Sequence, residues 1–191
     1  MQIVFATNNL NKLSEIRALL PSGIEILGLK DINCKEELPE THPTLEGNAL
    51  QKARYVFENY GFNCFSDDTG LEIDALGGEP GVYSARYAGE HCNAKDNMQK
   101  VLDKLHGTQN RTANFKTVIA LIIDGVENLF QGECKGDITN IRCGAEGFGY
   151  DPIFIPHTFD KTFAEMTKQE KGLISHRGKA VKKLLEFLST G

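Results

Sequence analysis

Hydrophobic and polar positions alternate in short runs that predict a mixed α/β chain. Gln2–Ala6 reads as a strand, followed by the polar turn "TNNLNK" and a helix with Leu13, Ile16 and Leu20 on one face, stopped by Pro21-Ser22-Gly23. Residues 24–29 read as a second strand and 30–43, containing "KEELPETHP", as a loop. Thr44 is a good N-cap for a helix running toward Tyr60, with Ala49, Ala53, Val56 and Phe57 as its apolar stripe and Gly61 as its stop.

"FNCFS" then enters, and "LEIDA" leaves, the acidic turn Asp67-Asp68-Thr69-Gly70. The glycine-rich segment "LGGEPGVYSARYAGEHC" has no period and reads as one long loop, of the kind that is often functional. Met98, Val101, Leu102 and Leu105 mark a helix closed by Gly107. "TANFKTVIALIID" and "VENLFQGECKG" meet at Asp124-Gly125 as a hairpin, and Val181, Leu184, Leu185 and Leu188 mark a final helix. The predicted architecture is a two-lobed single α/β domain over residues 1–191, with a mixed sheet flanked by helices and a central cleft.

Composition narrows the partners. With 191 residues and 40% of them hydrophobic, the chain has enough apolar surface for a sizeable core. A formal charge of −5, with no basic run longer than Lys182-Lys183, disfavours duplex nucleic acid and anionic membranes. It leaves room for a small polyanion accompanied by a divalent metal. Five cysteines without a C-x-x-C spacing argue against zinc-knuckle, thioredoxin-like and disulfide frameworks. The start "MQIVFATNN" lacks signal-peptide features and no segment is long and apolar enough to span a membrane, so the cytoplasm is the expected location.

Neither a Walker A nor a G-x-G-x-x-G pattern occurs, so a phosphate site must be built differently. One candidate is the strand-to-helix turn carrying Thr7, Asn8 and Asn9, where open helix N–H groups and Lys12 would favour an anion. The alternative there is an ordinary Asn or Thr cap beside a solvated lysine. Consecutive strand residues face opposite ways, so Asp67 and Asp68 should have different jobs, one in the cleft and one in support. A plain acidic turn is the competing reading. Glu36, Glu37 and Glu40 add carboxylates upstream, of which Glu36 and Glu37 read as solvated. Near the C-terminus, Phe148 between two glycines offers a stacking face, and of Lys171, His176 and Arg177, which fall within seven residues, His176 and Arg177 are the donors for a heterocycle oxygen. A core aromatic and a surface His-Arg pair would explain the same residues.

Taken in order, "ATNNLNK", "ETHPTLEGNALQKA", "SDDTGLEIDALGGEPGVYSARYAG", "GFGYDPIF" and "EKGLISHRGKA" resemble the Ham1 family of non-canonical purine NTP pyrophosphatases. The resemblance implies a two-lobed α/β homodimer that uses Mg²⁺, with Mn²⁺ as a possible substitute. Its expected reaction converts ITP, dITP or XTP to the monophosphate and pyrophosphate, clearing deaminated purines from the nucleotide pool. By motif, Asp68 resembles the catalytic proton acceptor and a metal ligand, Glu40 a second metal ligand, and Lys52 a catalytic lysine facing the phosphates. Thr7, Asn8, Asn9, Leu10, Asn11 and Lys12 match the triphosphate loop, and Thr69 stands where many members carry serine. Phe148, Gly149, Tyr150, Asp151, Lys171, His176 and Arg177 match nucleoside-binding positions. Two other readings compete with this one. They are a nucleotide sensor without turnover, and a Maf-like pyrophosphatase acting on other bases.

Overall fold

The computed structural model describes residues 1–19 and 23–190. Leu20 and the helix stop at Pro21-Ser22 lie outside the described residues. Among those residues the strands form one mixed seven-stranded sheet in the order β2-β1-β3-β5-β6-β7, with β4 paired to β3. The strands are β1 (Gln2–Phe5), β2 (Glu25–Leu27), β3 (Cys64–Ile73), β4 (Pro80–Gly81), β5 (Thr112–Ile123), β6 (Val126–Ile138) and β7 (Phe154–Pro156). The helices are α1 (Leu10–Arg17), α2 (Leu45–Tyr60), α3 (Ala94–Lys104), α4 (Lys168–Ile174) and α5 (His176–Thr190), joined by short 3₁₀ turns.

The chain divides into two compact units. The first comprises Met1–Asp68, Thr117–Gly132 and Arg177 onward. In it β1 runs parallel to both β2 and β3, pairing Val4 with Cys64 and Phe5 with Phe65. The Phe5 and Phe65 rings stack at 4.6 Å over a core that includes Ile16, Ile119, Leu121, Val181 and Leu184. Helix α2 has the expected bounds, with the Thr44 hydroxyl accepting from Gly47 N and Gly61 closing the end in the left-handed region. The hairpin turn Asp124-Gly125 has positive φ at both residues, +50° and +80°, as a two-residue connection between right-twisted strands requires.

The second unit comprises Thr69–Lys116 and Glu133–His176. Its core gathers Leu71, Ile73, Val101, Leu105, Ile138 and the aromatic trio Phe115, Phe154 and Phe163, with Phe115 meeting Phe154 edge to face at 4.7 Å.

Three sequence expectations change. Asp67–Gly70 is not a turn: β3 runs unbroken from Cys64 to Ile73. The strand is fixed in the sheet between β1, paired at Cys64–Phe65, and β5, with β4 alongside at Leu71–Glu72, and this pairing overrides the turn preference of its Asp, Thr and Gly residues. The glycine-rich segment is not one loop either. It holds β4 and a 3₁₀ turn at Ser84–Arg86, pinned where the Ser84 hydroxyl accepts from Leu71 N at 2.8 Å and donates to Gly81 O at 2.6 Å. Residues 30–43 likewise include part of a 3₁₀ turn, Leu29–Ile32.

Candidate active site

The first unit gathers seven charged side chains from five separated stretches of chain. β3 alternates its faces, and its two aspartates consequently meet different partners. Asp67, wholly buried, receives Lys12 Nζ at 2.9 Å on Oδ1 and Arg177 Nε at 3.2 Å on Oδ2. Arg177 in turn donates through Nη1 to Glu15 at 2.6 Å. Asp68 accepts from Asn48 Nδ2 at 3.0 Å on Oδ2, and its Oδ1 lies 3.9 Å from Lys52 Nζ. The Lys52 ammonium also donates to the Asp67 main-chain carbonyl at 2.7 Å and makes a short contact with the Glu40 carboxylate.

Electrostatics separate the two neighbours. Burial would raise the Asp67 carboxyl, but Lys12, Arg177 and Lys52 outweigh it and hold the group well below the ordinary range. Asp68 goes the other way: burial pushes it up, and the pull of Lys52 and Lys12 does not fully cancel that. Lys52 is also buried, which disfavours its charge, yet Asp68, Glu40 and Asp67 more than offset this and keep it firmly protonated. Adjacent carboxylates driven in opposite directions give one fixed anion and one group able to take a proton.

The triphosphate-loop candidates occupy the link between β1 and α1. Asn9 caps the helix, its side chain accepting from Asn11 N and Lys12 N, while the Thr7 hydroxyl accepts from Asn9 N at 3.1 Å. The expected row of open N–H groups is therefore largely engaged by the loop's own side chains. Lys12 is not the solvated lysine of the alternative reading, because it is tied to Asp67. Asn8, Leu10 and Asn11 are exposed, and Thr69 is half-buried.

The second unit holds the other set. Asp151, buried, accepts from Lys171 Nζ at 2.6 Å and from Phe148 N at 2.8 Å on the same Oδ2. The Lys171 ammonium stands 4.9 Å from the centroid of the half-buried Phe148 ring. Gly147 makes this loop possible: φ is +72°, and a Cβ there would lie 2.1 Å from Asp151 Oδ2. Tyr150 donates to Ser84 O at 2.8 Å, and half-buried Gly149 separates it from Phe148. His176 is buried with its ring stacked on Phe115 at 4.5 Å and 11°. Phe148, Asp151 and Lys171 are thus brought together in the second unit, and in the first Arg177 is bound to Asp67.

Asn48 and Glu15 are the contributors that residue-by-residue reading passes over. Asn48 carries a signal, a buried amide on the apolar stripe of α2 one turn before Lys52; Glu15 lies one turn after Lys12. Asp68 and Glu40 both approach Lys52, which makes an all-oxygen pair of the kind Mg²⁺ uses when water and phosphate complete its shell. Among the described residues no group of three His, Cys, Asp or Glu side chains forms a metal cage by itself. No described helix is long and apolar enough to cross a membrane.

The Ham1 family model matches residues 3–187. The dITP/XTP pyrophosphatase of Flavobacterium johnsoniae is 58% identical over 189 residues, covering 99% of this chain and 98% of that protein. The protein of the same description from Bacillus subtilis is 44% identical, covering 98% of this chain and 96% of its own. Among solved structures, the Staphylococcus aureus Ham1 protein superposes with a TM-score of 0.89 at 39% identity, covering 100% of this chain and 99% of that one. A HAM1 protein from Coxiella burnetii gives 0.90 at 36% identity, with both chains fully covered.

Proposed function

The chain belongs to the Ham1 family, and from that premise we propose that it hydrolyses non-canonical purine nucleoside triphosphates, ITP, dITP and XTP, to the monophosphate and pyrophosphate. The observation that carries the reading is the divergent pair on β3, Asp67 bound by Lys12 and Arg177 beside Asp68, which is held by Asn48 and faces Lys52.

Hydrolysis at the α-phosphorus needs an in-line water, a base and positive charge for the departing pyrophosphate. Asp68 takes the proton as the water oxygen bonds to the α-phosphorus. The bond from that phosphorus to the bridging oxygen breaks, and the electron pair leaves with pyrophosphate. Lys52, held between Glu40 and Asp68, faces the phosphates as a fixed cation, and Lys12 adds a second. Asp67 stays ionised and anchors Lys12 and Arg177. Mg²⁺, or Mn²⁺ in its place, would be held by Asp68 and Glu40 and would offset charge on the phosphate oxygens.

For the base, Phe148 offers a stacking face, and the Lys171 ammonium, 4.9 Å from the centroid of that ring, is the N–H donor beside it. A donor can donate to the 6-oxygen of hypoxanthine or xanthine but opposes the amino group of adenine. An unsatisfied buried polar group costs about 1–3 kcal/mol, roughly tenfold to a hundredfold in selectivity. The same reading takes the working form to be a cytoplasmic homodimer acting on free nucleotides, which sedimentation and cell fractionation would check.

The test is pyrophosphate release, with Mg²⁺, from ITP, dITP, XTP, dATP, dGTP, dTTP and UTP. Preference for the first three supports the proposal. No turnover would favour a sensor, and preference for dTTP or UTP a Maf-like enzyme.

A further inference from the structure

Asn48 is 1% exposed, and both ends of its amide are occupied. Its Oδ1 accepts from the main-chain N–H of His42 at 2.9 Å, and its Nδ2 donates to Asp68 Oδ2 at 3.0 Å. These partners fix which way the amide points: a backbone N–H can only donate, and an ionised carboxylate can only accept. With Oδ2 engaged, the Asp68 side chain turns Oδ1 toward Lys52, one helical turn further along α2.

The same face of α2 binds the segment that carries Glu40. Gln51 accepts from Thr41 N and donates to the Thr41 hydroxyl, both at 2.9 Å. The helix and this segment touch so closely that a Cβ at position 47 would lie 2.6 Å from His42 Cβ. Asn48 is thus hydrogen-bonded both to that segment and to Asp68.

Resting on the reading of Asp68 as the base, we infer that Asn48 is a positioning residue that sets the Asp68 carboxylate so that Oδ1 is the oxygen receiving the proton from the attacking water. Gln51 supplies a built-in comparison, because it ties down the same segment without touching Asp68.

The experiment measures kcat and KM for ITP in Asn48→Leu, Asn48→Ala, Gln51→Ala, Asp68→Asn and the Asn48→Ala/Asp68→Asn double variant, with amide exchange at His42 alongside. Both Asn48 variants are expected to lower kcat about ten- to a hundredfold, with KM changed by less than about threefold. His42 protection falls in these variants and stays in Gln51→Ala, whose kcat remains within about threefold of wild type. In the Asp68→Asn background, Asn48→Ala costs nothing further, since its partner's role is already gone. Asn48→Ala serves where Asn48→Leu does not fold. Wild-type kcat in folded Asn48 variants, an equal loss in Gln51→Ala, or multiplied losses in the double variant would each overturn the inference. Full ITP turnover in Asp68→Asn alone would instead overturn the reading on which it rests.

Discussion

Asp67 and Asp68 are consecutive on one strand, yet Lys12 holds the first at 2.9 Å and Asn48 the second at 3.0 Å, on side chains that alternate across the sheet. One carboxylate is committed to structural ion pairs, and the other keeps a raised proton affinity. The chemistry proposed for the site depends on that difference.

The pH response follows from the two directions. Asp67 is held below its ordinary 3.8, so its contribution to stability is present above that value and is lost as pH falls through the lower folded value. Asp68 is raised, so its contribution is present below 3.8 and is lost as pH rises through the folded value. Melting curves of wild type and Asp67→Asn should therefore converge as pH falls below about 4. Above that range, as pH rises through the raised Asp68 value, kcat/KM for ITP should rise as Asp68 ionises.

Metal removal is expected to separate catalysis from folding. The buried charges already pair with one another, Lys12 with Asp67 and Lys52 with Glu40. Chelation by EDTA is expected to abolish ITP turnover while leaving the melting temperature unchanged. Added Mg²⁺ or Mn²⁺ should restore activity.

Lys171→Met leaves the Asp151 carboxylate buried without its cation, and breaking such a pair costs about 3–5 kcal/mol. Urea denaturation should show that loss. Adding Asp151→Leu should recover most of it, while the ITP-to-dATP selectivity ratio remains narrowed in both variants.

Gly147→Ala forces a side chain into a left-handed backbone position and against Asp151. The loop presenting Phe148 must shift, so KM for ITP should rise about tenfold or more, with a smaller effect on kcat. Steady-state kinetics on ITP distinguishes this from a loss of kcat alone.

Much of this arrangement can be read along the chain. The Thr44 cap, the stripe of α2 and the Asp124-Gly125 hairpin are local, and local chemistry decides them. The course of β3 through Asp67–Gly70 is not local. Asp, Thr and Gly are turn formers, and a strand buried on both faces shows no clean alternation to outvote them. The fold around Ser84 rests on side-chain to main-chain bonds, which leave no apolar period. Asn48 reaches a partner 20 residues away, Arg177 one 110 away and Glu15 one 162 away, so their roles emerge only when the chain is folded. Arg177 follows His176 directly, and its guanidinium is bound to Asp67 and Glu15, contacts that motif order does not reveal.

The most direct test compares Asp68→Asn with Asp67→Asn for pyrophosphate release from ITP, each rate corrected for the folded fraction. Asp68→Asn should keep its fold and lose about a hundred- to ten-thousandfold in kcat. Asp67→Asn should chiefly lower stability by loosening Lys12 and Arg177, with the smaller loss of kcat. Near wild-type turnover in Asp68→Asn together with abolished turnover in folded Asp67→Asn would contradict the assignment.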